Sequence, residues 1–242
     1  MVKAPKSLLR LVGRSLHEYR MIRDGDRILL GVSGGKDSLS LFHVLQHFQR
    51  HAPIDFSLAV ATVNPQVAGF DPSPLKAYFA AQNTPYHFID QALVEQANKS
   101  MQGDSFCSFC SRMKRGVLYR VCREEDYNVL ALGQHLDDLA ESFLMSAFRG
   151  GQLRTMKAHY LNDAGDVRVI RPLIRVRESQ TQAFAQAAKL PVIVDNCPAC
   201  FSKPTERQRM KMLLQAESQH NPQLFSSLAT AMKPLLTTES LS

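Results

Sequence analysis

A doubly wound α/β fold with a mostly parallel sheet is predicted for this chain, and three observations predict it. Short apolar runs at 27–32, 56–63 and 128–133 alternate with longer stretches of helical periodicity. That alternation builds a parallel sheet from strand–helix–strand units. A glycine-paired turn, Ser33-Gly34-Gly35, joins the first run directly to a helix-like stretch. The 242 residues suffice for one sizeable core, or one core with small appendages.

Residues 6–21 read as an amphipathic helix, with Leu8, Leu9, Val12, Leu16 and Tyr19 near helical spacing. The first strand and the glycine turn follow, then a helix over 39–48. The run at 56–63, FSLAVATV, is β-branched and alanine-rich, which suits a strand buried on both faces. Helix is expected at 72–82, a short strand at 85–89 and irregular chain at 98–106. Residues 107–125 read as a helix with basic positions throughout, 128–133 as a second buried strand, and 136–148 as a helix ended by Gly150-Gly151. Residues 152–168 are polar and poorly periodic, with a turn at Asn162-Asp163-Ala164-Gly165-Asp166. A strand at 169–173, a helix at 178–189 and strand character at 192–194 come next. Helices at 203–219, with Pro204 near the first turn, and at 222–232 complete the chain. No internal repeat or low-complexity segment interrupts this pattern. A single domain over 1–242 is expected: an N-terminal helical segment (1–24), a catalytic core (25–200) and a C-terminal helical segment (201–242).

Composition narrows the class. With 45% hydrophobic and 21% charged residues the chain reads as a soluble globular protein. No apolar run is long enough to span a bilayer, and residues 1–10 lack the apolar stretch of a signal peptide, so no membrane association and a cytoplasmic location are expected. A formal charge of +7 suits a polyanionic partner without identifying one. Five cysteines, an odd number, argue against a disulfide framework.

The most informative segment is Ser33-Gly34-Gly35-Lys36-Asp37-Ser38. Strand, glycine turn and helix N-terminus together make an anion cradle, because backbone N–H groups can approach phosphate oxygens and the helix dipole favours negative charge. Lys36 adds a mobile cation, and Ser33 and Ser38 add hydroxyls. The ordinary phosphate loop, G-x-x-x-x-G-K-[ST], does not fit, since Asp37 follows Lys36 and Leu30 stands where its first glycine belongs. The hexapeptide instead resembles the pyrophosphate loop of the N-type ATP pyrophosphatases, which cleave ATP between its α- and β-phosphates. Both Val32 and Gly133 end strands, so the segments after them should face one crevice at the carboxyl edge of the sheet. Past Gly133 comes Gln134-His135-Leu136-Asp137-Asp138. Two adjacent carboxylates at a helix start either hold Mg²⁺ beside a triphosphate, directly or through water, or simply cap the helix.

Cys107-Ser-Phe-Cys110 and Cys197-Pro-Ala-Cys200 are two C-x-x-C pairs. Such pairs can close one tetrahedral site, for zinc or an iron–sulfur cluster, and spacing by itself slightly favours zinc. Cys122 reads as core packing.

At this point the chain resembles the 2-thiocytidine (TtcA-type) branch of tRNA thiolation enzymes. The resemblance rests on the loop 33–38, the run Cys107-Ser-Phe-Cys-Ser-Arg-Met-Lys-Arg-Gly-Val-Leu-Tyr-Arg120, Ala131-Leu-Gly-Gln-His-Leu-Asp-Asp138, Gly150-Gly151, Val169-Ile-Arg-Pro-Leu173 and the late C-x-x-C, over about residues 20–235. It implies an adenine-nucleotide hydrolase (PP-loop) fold, Mg-ATP, and a [4Fe–4S] cluster held by Cys107, Cys110 and Cys197, with Cys200 spare or auxiliary. This implication displaces zinc. Nucleotide contacts then fall to Val32, Ser33, Gly34, Gly35, Lys36, Asp37, Ser38, Val63, Gly133, His135 and Asp138. Mg²⁺ falls to Asp37, Asp137 and Asp138, and catalysis to the three cysteines with Lys36 and Asp37. A tRNA substrate, a sulfur donor such as a cysteine desulfurase, and a homodimer are also implied.

The activity the resemblance implies is adenylation of C2 of a tRNA cytidine and replacement of its oxygen by sulfur. The chain departs from the family pattern at Gln134-His135 in place of two histidines, at Asn64-Pro65-Gln66 in place of Asn-Leu-Asp-Gln, and around the late cysteines. Those departures keep open sulfur transfer or desulfuration on another nucleobase or small metabolite. A zinc-stabilised nucleic-acid-binding module is the alternative from another class. Basic candidates for RNA contact are Arg112, Lys114, Arg115 and Arg120; Arg149, Arg154 and Lys157; Arg171, Arg175 and Arg177; and Lys203, Arg207, Arg209 and Lys211. Phe106, Phe109 and Phe201 are candidates for base stacking.

Overall fold

The computed structural model describes residues 2–66, 70–92, 106–193 and 205–237, with side chains in the third stretch from 109 onward. Six strands form one sheet: β1 (Asp26–Gly31), β2 (Phe56–Asn64), β3 (Tyr86–Asp90), β4 (Val129–Ala131), β5 (His159–Leu161) and β6 (Arg168–Ile170). Their order is β3-β2-β1-β4-β6-β5. Every pairing is parallel except β5 with β6. Eight helices accompany them among the described residues: α1 (Lys6–Glu18), α2 (Lys36–His51), α3 (Pro74–Ala81), α4 (Phe106–Glu124), α5 (Leu136–Gly150), α6 (Glu178–Ala187), α7 (Glu206–His220) and α8 (Leu224–Met232). The expected doubly wound, mostly parallel α/β class is the observed one.

The strand residues explain the layering. Successive side chains of a strand point to opposite faces, and here both faces are apolar. Ile28, Leu30, Leu58, Val60, Val129 and Ala131 join a cluster with Leu39, Phe42 and Leu45 of α2, Leu139 of α5 and Phe184 of α6. The alternate residues Leu29, Ala59, Ala61, Val63, Leu130 and Leu132 form a second cluster with Val117, Leu118 and Val121 of α4. The small side chains of Ala59 and Ala61 leave room for that helix. Cys122 is 1% exposed in the same cluster, and burial pushes its thiol up to about 12, as expected for a packing residue.

The strand order reverses between β1 and β4. In open α/β sheets the crevice at such a switch point, beyond the strand carboxyl ends, is where ligands bind.

Two elements differ from the sequence reading. The polar stretch at 152–168 contains β5, which forms a hairpin with β6 around the expected turn. Asn162 Oδ1 accepts the N–H groups of Asp166 and Val167 at 3.1 and 3.2 Å, and Gly165 takes φ +74°. A strand of three residues is too short to display a period. Residues 192 and 193 join no strand, and Val194 lies outside the described residues. Instead the Ile193 N–H donates to the Gly34 carbonyl at 2.9 Å, so this apolar run covers the glycine turn rather than extending the sheet. The helix expected at 203–219 is observed at Glu206–His220, with Thr205 as its cap. Lys203 and Pro204 lie outside the described residues.

The opposite, amino-terminal edge of the sheet is closed by charge. Asp26 is 3% exposed and accepts from Arg168, from Asn128 Nδ2 at 3.0 Å and from the Arg23 N–H at 2.7 Å. Removing one member of a buried, hydrogen-bonded pair strands the other charge. Asp26→Ala is therefore expected to cost about 3–5 kcal/mol, read as a fall in the denaturant midpoint with the unfolding slope unchanged.

Candidate functional site

The glycine turn is built by its own sequence and by its neighbours. Gly34 is buried with φ +86°, and an added Cβ would lie 2.8 Å from Ile193 Cγ1. Gly35 is the N-cap of α2 in extended backbone, and its N–H donates to Ser33 Oγ at 3.3 Å. Ser38 Oγ donates to the Gly35 carbonyl at 3.0 Å, which closes the turn. The first N–H groups of α2 have no intrahelical acceptor, as at any helix start, and they point out of the crevice end of β1. Val32, buried below the turn, is fixed to β2 through the Ala61 carbonyl at 2.8 Å and Thr62 Oγ1 at 2.9 Å. Val63 is buried in the second cluster.

The two halves of the expected site meet. A Cβ on Gly133 would stand 3.1 Å from both Cα and N of Ser38, so the absence of a side chain lets the segment after β4 lie close against the start of α2 without displacing its backbone. His135, 4% exposed, is the N-cap of α5. Its Nδ1 accepts the Asp138 N–H at 3.3 Å, and Asp138 Oδ2 accepts the His135 N–H at 3.0 Å. Its Nε2 lies 3.8 Å from Asp37 Oδ1.

The three carboxylates expected to hold Mg²⁺ each have protein partners. Asp37 accepts from Thr181 Oγ1 and pairs with Lys36 at 3.1 Å. Asp137 accepts from Arg177 Nε and Nη2 at 3.1 Å each and from the Glu178 N–H at 2.8 Å. Asp138 caps α5 and meets Arg207 at 3.3 Å. Among the described residues no group of three or more His, Cys, Asp or Glu side chains is arranged to hold a metal ion.

Sequence reasoning missed the first turn of α6, which touches both halves. Arg177 and the Glu178 N–H hold Asp137, Thr181 holds Asp37, and Glu178 Oε1 pairs with Lys36 Nζ at 3.0 Å. Glu178 also pairs with Lys211 of α7 at 2.7 Å. Burial works against the Lys36 charge, but Asp37 and Glu178 outweigh it and hold its pKa above the ordinary lysine value. Burial likewise works against the Glu178 charge, yet Lys211 and Lys36 bring its pKa to about 2. No local signal in Arg177-Glu178-Ser179 could announce partners so distant in the chain. A second missed group is Asp90. It pairs in register with Asn64 and accepts from its Nδ2 at 2.7 Å, placing a carboxylate beside the strand end where Asn64-Pro65-Gln66 supplies none.

Behind the crevice, a cavity of about 330 Å³ lies among α5, α6, α7 and α8, bordered by Glu141, Arg177, Lys211 and Phe225. Glu141 is 4% exposed, and burial, with Asp138 nearby, pushes its carboxyl up to about 7. A folded-state pKa above the unfolded one means the folded protein keeps its proton longer. Stability should therefore fall as pH rises from about 4.5 to about 7. Glu141→Gln should flatten that limb, measured as thermal midpoint against pH in wild type and variant.

Of the cysteines, Cys107 and Cys110 occupy the first turn of α4 one helical turn apart, with Cys110 half-buried against the second cluster. The Cys107 side chain, and Cys197 and Cys200 altogether, lie outside the described residues, as do the Phe106 side chain and Phe201. The basic candidates divide. Arg171 is 2% exposed, donating to Gln134 Oε1 at 2.9 Å and to the Lys157 carbonyl at 2.5 Å, so it is structural rather than RNA-facing. Arg175 is taken by Glu18, and Arg177 and Lys211 belong to the network above. Arg149, Arg154, Arg207 and Arg209 remain exposed around α5 and α7.

A glycine turn of this construction, opening at the switch point of a parallel sheet with a lysine at the helix start, defines a phosphate-binding α/β protein. The family model described as the PP-loop domain matches residues 8–217, and the chain belongs to that family and, within it, to the branch of the relatives that follow. It is 38% identical over 228 residues to a tRNA-cytidine(32) 2-sulfurtransferase of Geobacter sulfurreducens, covering 94% of this chain and 89% of the relative. It is 37% identical to the protein of that name from Nitrosomonas eutropha, covering 96% of this chain and 74% of the relative. Its fold is similar to that of the U34-tRNA thiolase NcsA from Methanococcus maripaludis, solved with its [4Fe-4S] cluster. The TM-score is 0.78 at 24% identity, over 97% of this chain and 79% of that one.

Proposed function

We propose that this protein is an ATP-dependent, iron–sulfur-dependent tRNA sulfurtransferase that adenylates C2 of a cytidine in tRNA and replaces its oxygen with sulfur. The names of the relatives favour cytidine 32 as the acceptor. One observation carries the reading. The Ile193 N–H is bonded to the Gly34 carbonyl, and Cys197 follows Ile193 by four residues, a span of at most roughly 14 Å even fully extended. The segment proposed to bear a cluster thiol thus leads away from the phosphate loop itself.

C2 of a pyrimidine is a poor electrophile because its oxygen is a poor leaving group. In the proposed reaction that oxygen bonds to the α-phosphorus of ATP as the bond to the β-phosphate breaks. Pyrophosphate departs into the loop 33–38, where Lys36 and the backbone N–H groups of Gly34 and Gly35 stabilise its charge. Asp37, within the loop, would share Mg²⁺ with the phosphates. Asp137 and Asp138 orient the far side of the crevice through Arg177 and His135. Sulfur then bonds to C2 while the C2–O bond breaks and AMP leaves.

The donor set has the chemistry of a cluster site: two cysteines one helical turn apart in the sequence of α4, and a third four residues after Ile193. A [4Fe–4S] centre on Cys107, Cys110 and Cys197 would supply that sulfur. Exposed Arg149, Arg154, Arg207 and Arg209 would meet tRNA phosphates, with salt-dependent affinity. The reading includes one domain over 1–242, a cysteine-desulfurase type of sulfur donor, a homodimer and a cytoplasmic location. Among the described residues no helix is long and apolar enough to cross a membrane.

The deciding experiment is anaerobic reconstitution followed by ATP-dependent thiolation of bulk tRNA and nucleoside analysis. The result expected is 2-thiocytidine formed only with ATP. Brown, reconstituted protein that leaves every nucleoside unthiolated would refute the reading.

A further inference from the structure

The Lys36 side chain does not lie free in the loop. It is held between Asp37 at 3.1 Å and Glu178 at 3.0 Å, and only 20% of it is exposed. Glu178, 25% exposed, is gripped from the other side by Lys211, at 2.9 Å to Oε1 and 2.7 Å to Oε2. The four charges Asp37, Lys36, Glu178 and Lys211 alternate in sign in a chain of pairwise contacts from the phosphate loop to α7. Such an arrangement raises a physical difficulty. A carboxylate 3.0 Å from the loop lysine competes with phosphate for that lysine and repels an incoming triphosphate. Interactions between partly buried charges at this range are weakly screened and large.

We infer that Glu178 and Lys211 form a positioning pair for the loop lysine: Glu178 sets where Lys36 stands, and Lys211 supplies the second cation that lets Lys36 pass from Glu178 to the triphosphate. This inference rests on the nucleotide reading above. Glu178 gains its place from the first turn of α6, where its own N–H binds Asp137 and Thr181 holds Asp37, so the carboxylate is aimed by the same turn that aligns both halves of the crevice. Glu141 also faces Lys211 across the cavity and Arg207 lies 3.8 Å from Glu141. Neither stands between Lys211 and Glu178. Because Lys211 is carried by α7, the pair also ties the loop to the helix that follows the late cysteines.

The pair predicts effects of opposite sign that a merely structural contact would not give. Lys211→Met leaves Glu178 uncompensated beside Lys36 and should weaken ATP binding by about tenfold, the effect of an interaction of roughly 1.4 kcal/mol. Adding Glu178→Gln to that variant removes the stranded charge and should restore ATP affinity to within about threefold of wild type. Glu178→Gln alone should bind ATP at least as tightly as wild type while slowing turnover, because Lys36 is no longer placed. Lys211→Arg, which keeps the cation, should bind ATP normally.

ATP affinity is measured by titration calorimetry on the full chain, with thermal midpoints recorded for each variant. Turnover is measured as ATP–pyrophosphate exchange with tRNA present. Normal ATP affinity in Lys211→Met, or a double variant no tighter than Lys211→Met, overturns the inference. Should Lys211→Met not fold, impaired affinity in a folded Lys211→Arg protein overturns it instead. Wild-type protein that binds no ATP would instead defeat the nucleotide reading, a separate failure.

Discussion

Gly34→Ala is expected to abolish useful ATP binding, lowering affinity by two orders of magnitude or more while the protein stays folded. Two separate penalties act on the new methyl group. At φ +86° an alanine occupies left-handed backbone, which costs about 1–2 kcal/mol. Its Cβ would also lie 2.8 Å from Cγ1 and 3.0 Å from Cβ of Ile193, and that Cβ cannot move aside unless the backbone moves with it. Overpacking of that kind costs about 1–3 kcal/mol. The loop can relieve both only by changing shape, and the loop shape is the phosphate site. Ile193→Ala in the same chain removes the Cγ1 contact but keeps the Cβ contact and the dihedral penalty, so the double variant should regain only a small part of the affinity. Calorimetric titration with ATP, beside a thermal melt, separates lost binding from lost folding. An alanine variant that binds ATP as tightly as wild type would show that the turn does not serve phosphate.

The second large effect concerns the thiols. Cys107→Ala and Cys110→Ala should each eliminate tRNA thiolation and the visible absorption of the anaerobically reconstituted protein, with ATP affinity unchanged within about twofold, well under the tenfold of a 1.4 kcal/mol loss. The fold gives the reason. Both residues belong to α4, which packs on the second apolar cluster, whereas the turn 33–38 is shaped by hydrogen bonds from Gly35, Ser38 and Ile193. Cys122 is the internal control. Further along the same helix but 1% exposed, with its thiol pushed up to about 12, it should tolerate alanine with thiolation and absorption intact. Thiolation retained without Cys107 or Cys110 would mean that sulfur reaches the acceptor by another route.

Much of the fold was legible before any coordinates. The runs at 27–32, 56–63 and 128–133 are apolar on both alternating faces, which only a strand covered on both sides needs, and all three are central strands. The loop 33–38 was equally legible, because glycine freedom, the helix start and the lysine are local in sequence. The tail of the sheet was not. His159–Leu161 is too short for a period, and its pairing depends on Asn162 folding back on Asp166 and Val167. The apolar run at 192–193 looked like a strand, but its contact is with Gly34, far back in the chain.

Charge is where the two levels part most clearly. Composition identified a basic chain and a set of arginines and lysines suited to RNA, but could not say which of them face solvent. Arg171 lies buried on Gln134 and the Lys157 carbonyl, while Arg175 and Lys211, half-buried, pair with Glu18 and Glu178. Asp137 and Asp138 read correctly as residues at a helix start, yet their engagement by Arg177, His135 and Arg207 needed the packed structure.

By itself the sequence determined the fold class, the phosphate turn and the cysteine spacing, since each rests on residues a few positions apart. Only the tertiary structure decided that Gly133 abuts Ser38, that Ile193 covers Gly34, and that the first turn of α6 links Lys36, Asp37 and Asp137. Those contacts join segments scores of residues apart, and what selects them is the packing of whole strands and helices against one another. Local periodicity carries no record of that choice.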